Sequence, residues 1–135
     1  MRLVIDTNVL VSALLNPGRT PDRALCAVRE RRDLVLSDQR IAAEYRTVLA
    51  RPKFRAIDTT LAQGLIEALL AQGKDLGDVP CWEGNLLDPR DRPFVEVALA
   101  GHADAIVTGN TRHYPVDLGF EVLGPTAWLA RIWGP

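Results

Sequence analysis

Four short, largely apolar runs recur along the chain: "LVI" at 3–5, "LVL" at 34–36, "AIV" at 105–107 and "EVL" at 121–123. Each is too short to be a helix, and each is followed by Asp, Ser, Thr or Gly. Longer segments between them repeat apolar residues with helical period. This alternation constrains the fold more than any other feature, because apolar strands joined by helical crossovers make a parallel sheet that must be covered on both faces. The expected fold class is therefore α/β, a three-layer α/β/α arrangement with a mainly parallel sheet of four or five strands. With 135 residues, 47% of them apolar, the chain is long enough for one sizeable core, and a single domain spanning 1–135 is expected.

Helix boundaries are read from capping residues and prolines. Thr20-Pro21 opens "PDRALCAVRERR", and Ser37 is placed to cap "DQRIAAEYRTVLA", which Pro52 stops. Thr59 or Thr60 opens "LAQGLIEALLAQG", where Leu61, Leu65, Ile66 and Leu69 form one apolar stripe. "PFVEVALAG" and "TAWLARIW" read as two further helices, and exposed apolar surface on "LAQGLIEALLAQG" or around Trp128 and Trp133 would serve self-association or a partner. "GDVPCWEGNLLDPRDRP" is the one long irregular stretch, of a length that is often functional in a compact domain.

Sixteen basic residues against seventeen acidic give a net charge of −1, so any nucleic-acid binding must be local rather than driven by an overall basic field. Arg51, Lys53 and Arg55, with Arg90, Arg92 and Arg112, are the local cations available for a phosphate backbone. Cys26 and Cys81 lie far apart without metal-ligand spacing, and no signal peptide or membrane-spanning apolar run is visible. A reducing, cytoplasmic setting is expected, with both thiols as ordinary core or near-surface residues.

The acidic residues carry the chemistry. Asp6 follows the first strand and precedes a helix, so it sits at the carboxyl edge of the sheet, where α/β folds place their sites; it is equally placed to cap that helix. Glu44 lies about 60° from Ile41 and about 40° from Val48 around its helix, at the margin of the inward face. Asp88 and Asp91 stand just ahead of "PFVEVALAG", as caps, as ion-pair partners of Arg90 and Arg92, or as acids delivered to the same crevice. "AIVTGN" ends a second buried strand in Thr108, Gly109 and Asn110. Several carboxylates converging there would repel one another unless they bound a divalent cation, and oxygen ligands favour magnesium or manganese over zinc. His102 and His113 have no Ser or Cys partner and read as surface or capping residues.

"MRLVIDTNVLVSALL", "SDQRIAAEYRTVLARPKF" and "DPRDRPFVEVALAGHADAIVTGNTRHYP" together resemble the PIN-domain family, in particular its toxin-like prokaryotic branch, the VapC-type ribonucleases of toxin-antitoxin pairs. The resemblance implies that Asp6, Glu44 and Asp91 hold or orient Mg2+ or Mn2+ and are the catalytic acids. It makes Asn8 and Thr108 small polar supports. At the family's fourth acidic place this chain has Asn110, which keeps an oxygen donor but removes a charge, and Asp88 is a substitute within reach. The implied activity is a magnesium-dependent endoribonuclease with an antitoxin partner and a homodimeric state. Two alternatives remain at this level: a non-catalytic PIN-like binding module weakened at the metal site, and a phosphoryl-transfer α/β domain in which the Asp after a strand accepts the phosphoryl group. The chain has no second Asp of a D-x-D pair to support the latter.

Overall fold

In the computed structural model, which describes residues 1–134, β1 (Arg2–Ile5) is the middle strand of a five-stranded, wholly parallel sheet. β2 (Leu34–Ser37) flanks it on one side and β4 (Ala105–Val107) on the other; β3 (Lys74–Asp75) lies beyond β2, and β5 (Glu121–Leu123) beyond β4. The chain thus winds outward from β1 in one direction and then restarts on its other side. The crevice between the carboxyl ends of β1 and β4 lies at this reversal, where open α/β sheets bind ligands.

Leu3, Val4 and Ile5 face alternately up and down, yet all three are fully buried, which requires a helical layer on each side. α1 (Thr7–Leu15) packs on α2 (Thr20–Arg31), and α2 on α6 (Pro125–Trp133). α3 (Gln39–Leu49) packs on α4 (Thr59–Ala71), and α5 (Arg92–Ala100) lies against β1 and β2. The three-layer α/β/α arrangement and the four strands read from apolar runs are all present. The fifth strand, β3, consists of exposed Lys74 and Asp75 and carries no apolar signal; charges on so short an edge discourage further pairing. Gly73 leads into it because a Cβ there would drive into the Val35 carbonyl of β2.

Three helix starts differ from the sequence reading. Asp38, not Ser37, caps α3, its carboxylate accepting the Ile41 N–H at 3.0 Å, while Ser37 ends β2. Asp58, not Thr59 or Thr60, caps α4 and accepts the Leu61 N–H at 3.1 Å. In both cases the carboxylate immediately before the first helical residue is the better partner for the positive end of the helix. Thr20 is itself helical, with Arg19 at the cap position. The α4 stripe is also narrower than expected. Ala62, Ile66 and Leu69 are buried, while Leu61, roughly 80° from Leu69 around the helix, is 65% exposed.

The long irregular stretch is tied down at both ends. Glu96, on α5 and only 4% exposed, accepts the Trp82 N–H at 2.8 Å and Nη1 of Arg40 at 2.6 Å. Arg40 also pairs with the capping carboxylate of Asp38 at 2.8 Å. Arg92 donates to the carbonyls of Trp82 and Gly84 and lies over the Trp82 ring. These contacts fix the path of the chain into a short 3-10 turn, Pro89–Asp91, which delivers Asp88 and Asp91 to the sheet edge.

Candidate functional site

The register decides what meets at the crevice. Ile5 pairs with Val107, so the next residues, Asp6 and Thr108, emerge side by side from adjacent strands. Asp6 is 6% exposed and caps α1. A buried carboxylate needs donors, and Asp6 has them on one oxygen. Thr108 Oγ1 donates to Oδ2 at 2.9 Å, the Tyr114 hydroxyl at 2.8 Å and Asn8 Nδ2 at 3.4 Å. Oδ1 receives only a long contact, 3.5 Å, from the Asn8 N–H. Asn8 also accepts the Gly109 N–H at 2.9 Å, and Thr108 Oγ1 accepts the Asn110 N–H at 3.0 Å, so the two strand ends are cross-tied.

Glu44 reaches the same edge from α3. Its carboxylate accepts a hydrogen bond from the Thr7 hydroxyl, one residue beyond Asp6. Burial pushes the Glu44 acid up from its ordinary range, the Thr7 hydrogen bond opposes this, and the charge on Asp6 adds to it. Asp91 is pushed up to about 6, first by burial and then by the negative charges of Asp6, Asp88 and Glu44, with His113 opposing. Asp6, Glu44 and Asp91 therefore share one electrostatic environment. Tyr114 is raised well above the ordinary phenol range, by burial first and then by Asp6 and Asp91, so it stays a neutral donor.

The carboxylate and imidazole atoms close enough together to share a cation are a different trio. Asp88, Asp91 and His113 each offer one atom within 4.8 Å of the others, and no trio including Asp6 or Glu44 meets that spacing among the described residues. His113 Nδ1 lies 3.6 Å from Asp91 Oδ2. Asp88 caps the 3-10 turn and is held by Arg90 at 2.9 Å, which keeps its acid below the usual carboxylate range. Asn110 is exposed at the margin of the crevice.

The basic residues divide by what they already hold. Arg90 is paired with Asp88, and Arg92 is half-buried in the loop. Arg51, Lys53 and Arg55 surround the short turn Pro52–Phe54 after α3, Lys53 lying over the Phe54 ring, and Arg112 is exposed beside His113. Both cysteines are free and exposed, so the core reading of either is replaced by a surface one. No helix among the described residues is long and apolar enough to cross a membrane.

Residues 2–112 match the family described as the PIN domain. The chain belongs to the PIN-domain family. No curated protein sequence matches it. Among solved structures, VapBC2 from Rickettsia felis bound to a DNA fragment from their promoter is similar to this PIN domain. The TM-score is 0.59 at 14% identity, covering 92% of this chain and 98% of that one, a likeness of fold. Two residues at the crevice, Thr7 and Tyr114, escaped the sequence reading, and His113, expected as a surface or capping residue, stands beside Asp91. Thr7 was passed over inside "DTN", and His113 and Tyr114 lie just beyond the part that matches the PIN domain. The signal for His113 and Tyr114 is their position within a few residues of "TGN", which marks them as following a strand end at the same edge.

Proposed function

We propose that this PIN domain is a divalent-metal-dependent endoribonuclease, the toxin component of a toxin-antitoxin pair. The observation that carries the reading is the arrival of acids from separate elements at one sheet edge: Asp6 at the carboxyl end of β1, Glu44 of α3 on the adjoining Thr7 hydroxyl, and Asp88 and Asp91 from the turn before α5, with burial and neighbouring negative charge raising Glu44 and Asp91. Such a set is costly without a cation, and its oxygen donors fit Mg2+ or Mn2+. When bound, the cation supplies an activated water and neutralises charge on the phosphodiester. The protein's own residues prepare for it. Thr108, Tyr114 and Asn8 occupy Asp6 Oδ2 and hold the carboxylate in one orientation, which leaves Oδ1 as its free ligand atom. Thr7 fixes Glu44 in the same way. Arg51 and Arg112 supply positive charge for the flanking phosphates.

The antitoxin partner is inferred from likeness to VapBC2, and a homodimer is proposed on the apolar surface left outside, with Leu61 65% and Trp133 61% exposed. The test of the central reading is cleavage of labelled single-stranded RNA, with single-stranded DNA in parallel, by the purified protein. Cleavage of RNA is expected with Mg2+ or Mn2+ and not in EDTA. It should be lost in Asp6→Asn and Asp91→Asn, both remaining folded by circular dichroism. Cleavage that survives EDTA and both substitutions makes the acids structural.

A further inference from the structure

We propose that His113 is a direct ligand of the divalent cation in this PIN domain, adding a nitrogen donor close to the exposed Asn110, and that this nitrogen makes the site prefer a first-row transition cation such as Mn2+ over Mg2+. The inference rests on the carboxylate metal site proposed above and adds to it a residue and a selectivity. Three observations carry it. Asp88, Asp91 and His113 form the one group of donor atoms among the described residues already drawn within 4.8 Å, with no rearrangement needed between Asp91 and the imidazole. His113 is also held where it is. Its N–H donates to the Asn110 carbonyl at 3.0 Å, and the next residue, Tyr114, is buried with its hydroxyl on Asp6. The backbone at His113 is therefore tied to the site, and its ring nitrogen stands 3.6 Å from Asp91. Finally, Asn110 is exposed and contributes its backbone N–H to Thr108, while three residues later the short turn Thr111–His113 presents a stronger donor to Asp91.

The chemical consequence follows from donor type. Mg2+ takes oxygen and water, whereas imidazole nitrogen suits first-row transition ions, so a mixed set of Asp91, Asp88 and His113 discriminates between cations that a wholly carboxylate set would treat alike. Asp88 is the weaker member, because Arg90 holds it at 2.9 Å and must turn away into solvent before a cation takes its place.

The test uses the full chain without RNA. Titration calorimetry with MnCl2 and with MgCl2 is expected to show tighter Mn2+ binding. In His113→Ala the Mn2+ affinity should fall at least about tenfold while Mg2+ affinity changes much less, and in His113→Asp the preference for Mn2+ should shrink. Pulsed EPR of the Mn2+-loaded protein should show nitrogen-14 modulation that disappears in His113→Ala. Absence of that modulation in the wild type overturns direct ligation, and equal loss of both metals in His113→Ala overturns the selectivity. Asp91→Asn separates the two levels. If it abolishes binding while His113→Ala changes nothing, only the role of His113 fails; if it leaves binding intact, the carboxylate site itself fails.

Discussion

Asp6 shows how a single side chain was half legible. Its place after a buried strand marked it from sequence, but its saturation on one oxygen depends on Tyr114, 108 residues away, which no local pattern announces. Tyr114→Phe removes one of two short hydrogen bonds to a buried acid and is expected to cost about 1.5–3 kcal/mol in urea unfolding at pH 7, the range for bonds to charged groups. The penalty should shrink in the Asp6→Asn background, where the acceptor is no longer charged. Asp91 makes a second prediction. Its acid titrates near 3.9 unfolded but at about 6 in the fold. The native state holds that proton more tightly, so ionisation costs stability that is fully present above about pH 6 and is relieved as pH falls towards 4. Glu44 is shifted in the same direction. Metal-free protein should therefore show a higher Tm at pH 5 than at pH 7, and Asp91→Asn should flatten that slope; an unchanged slope would place the raised acid elsewhere.

Among the elements, those with strong period or apolar runs were readable, and those fixed by tertiary contacts were not. β1, β2, β4 and β5 follow from "LVI", "LVL", "AIV" and "EVL", whereas β3 is two charged residues held in place by pairing with Leu36 and Ser37. The loop before α5 was visible as an irregular stretch, but the clamp that directs it was not, because Glu96 reads as one charge within "PFVEVALA" until Arg40 and Trp82 are seen against it. Glu96→Ala leaves the Trp82 N–H without its acceptor and the Arg40 guanidinium with Asp38 as its remaining carboxylate partner. We expect a loss of about 2–3 kcal/mol, less than the roughly 3–5 of a fully buried pair because Arg40 is half in water. Glu96→Gln keeps an acceptor for the Trp82 N–H and should cost less. Hydrogen exchange should quicken at residues 82–91 in the alanine variant; protection unchanged there would mean that Arg92 alone holds the loop.

At the scale of the whole molecule, a cation that binds only the folded chain adds RT ln(1 + [L]/Kd) to stability, about 2.7 kcal/mol at a hundred times Kd. Thermal melts should accordingly move up by several degrees with Mn2+ in the wild type and not in Asp6→Asn/Asp91→Asn; equal shifts in both would assign the ion to another part of the surface. The strand order has a further consequence. β1 is hydrogen-bonded on one side to β2 and on the other to β4, about seventy residues further along than β2. Contacts of such long sequence separation close slowly. Asp6 therefore meets Thr108 and Tyr114 only once segments more than a hundred residues apart have come together. A fragment that carries β1 without β4 holds the first acid but none of its distant partners, so the centre assembles only together with the middle of the sheet.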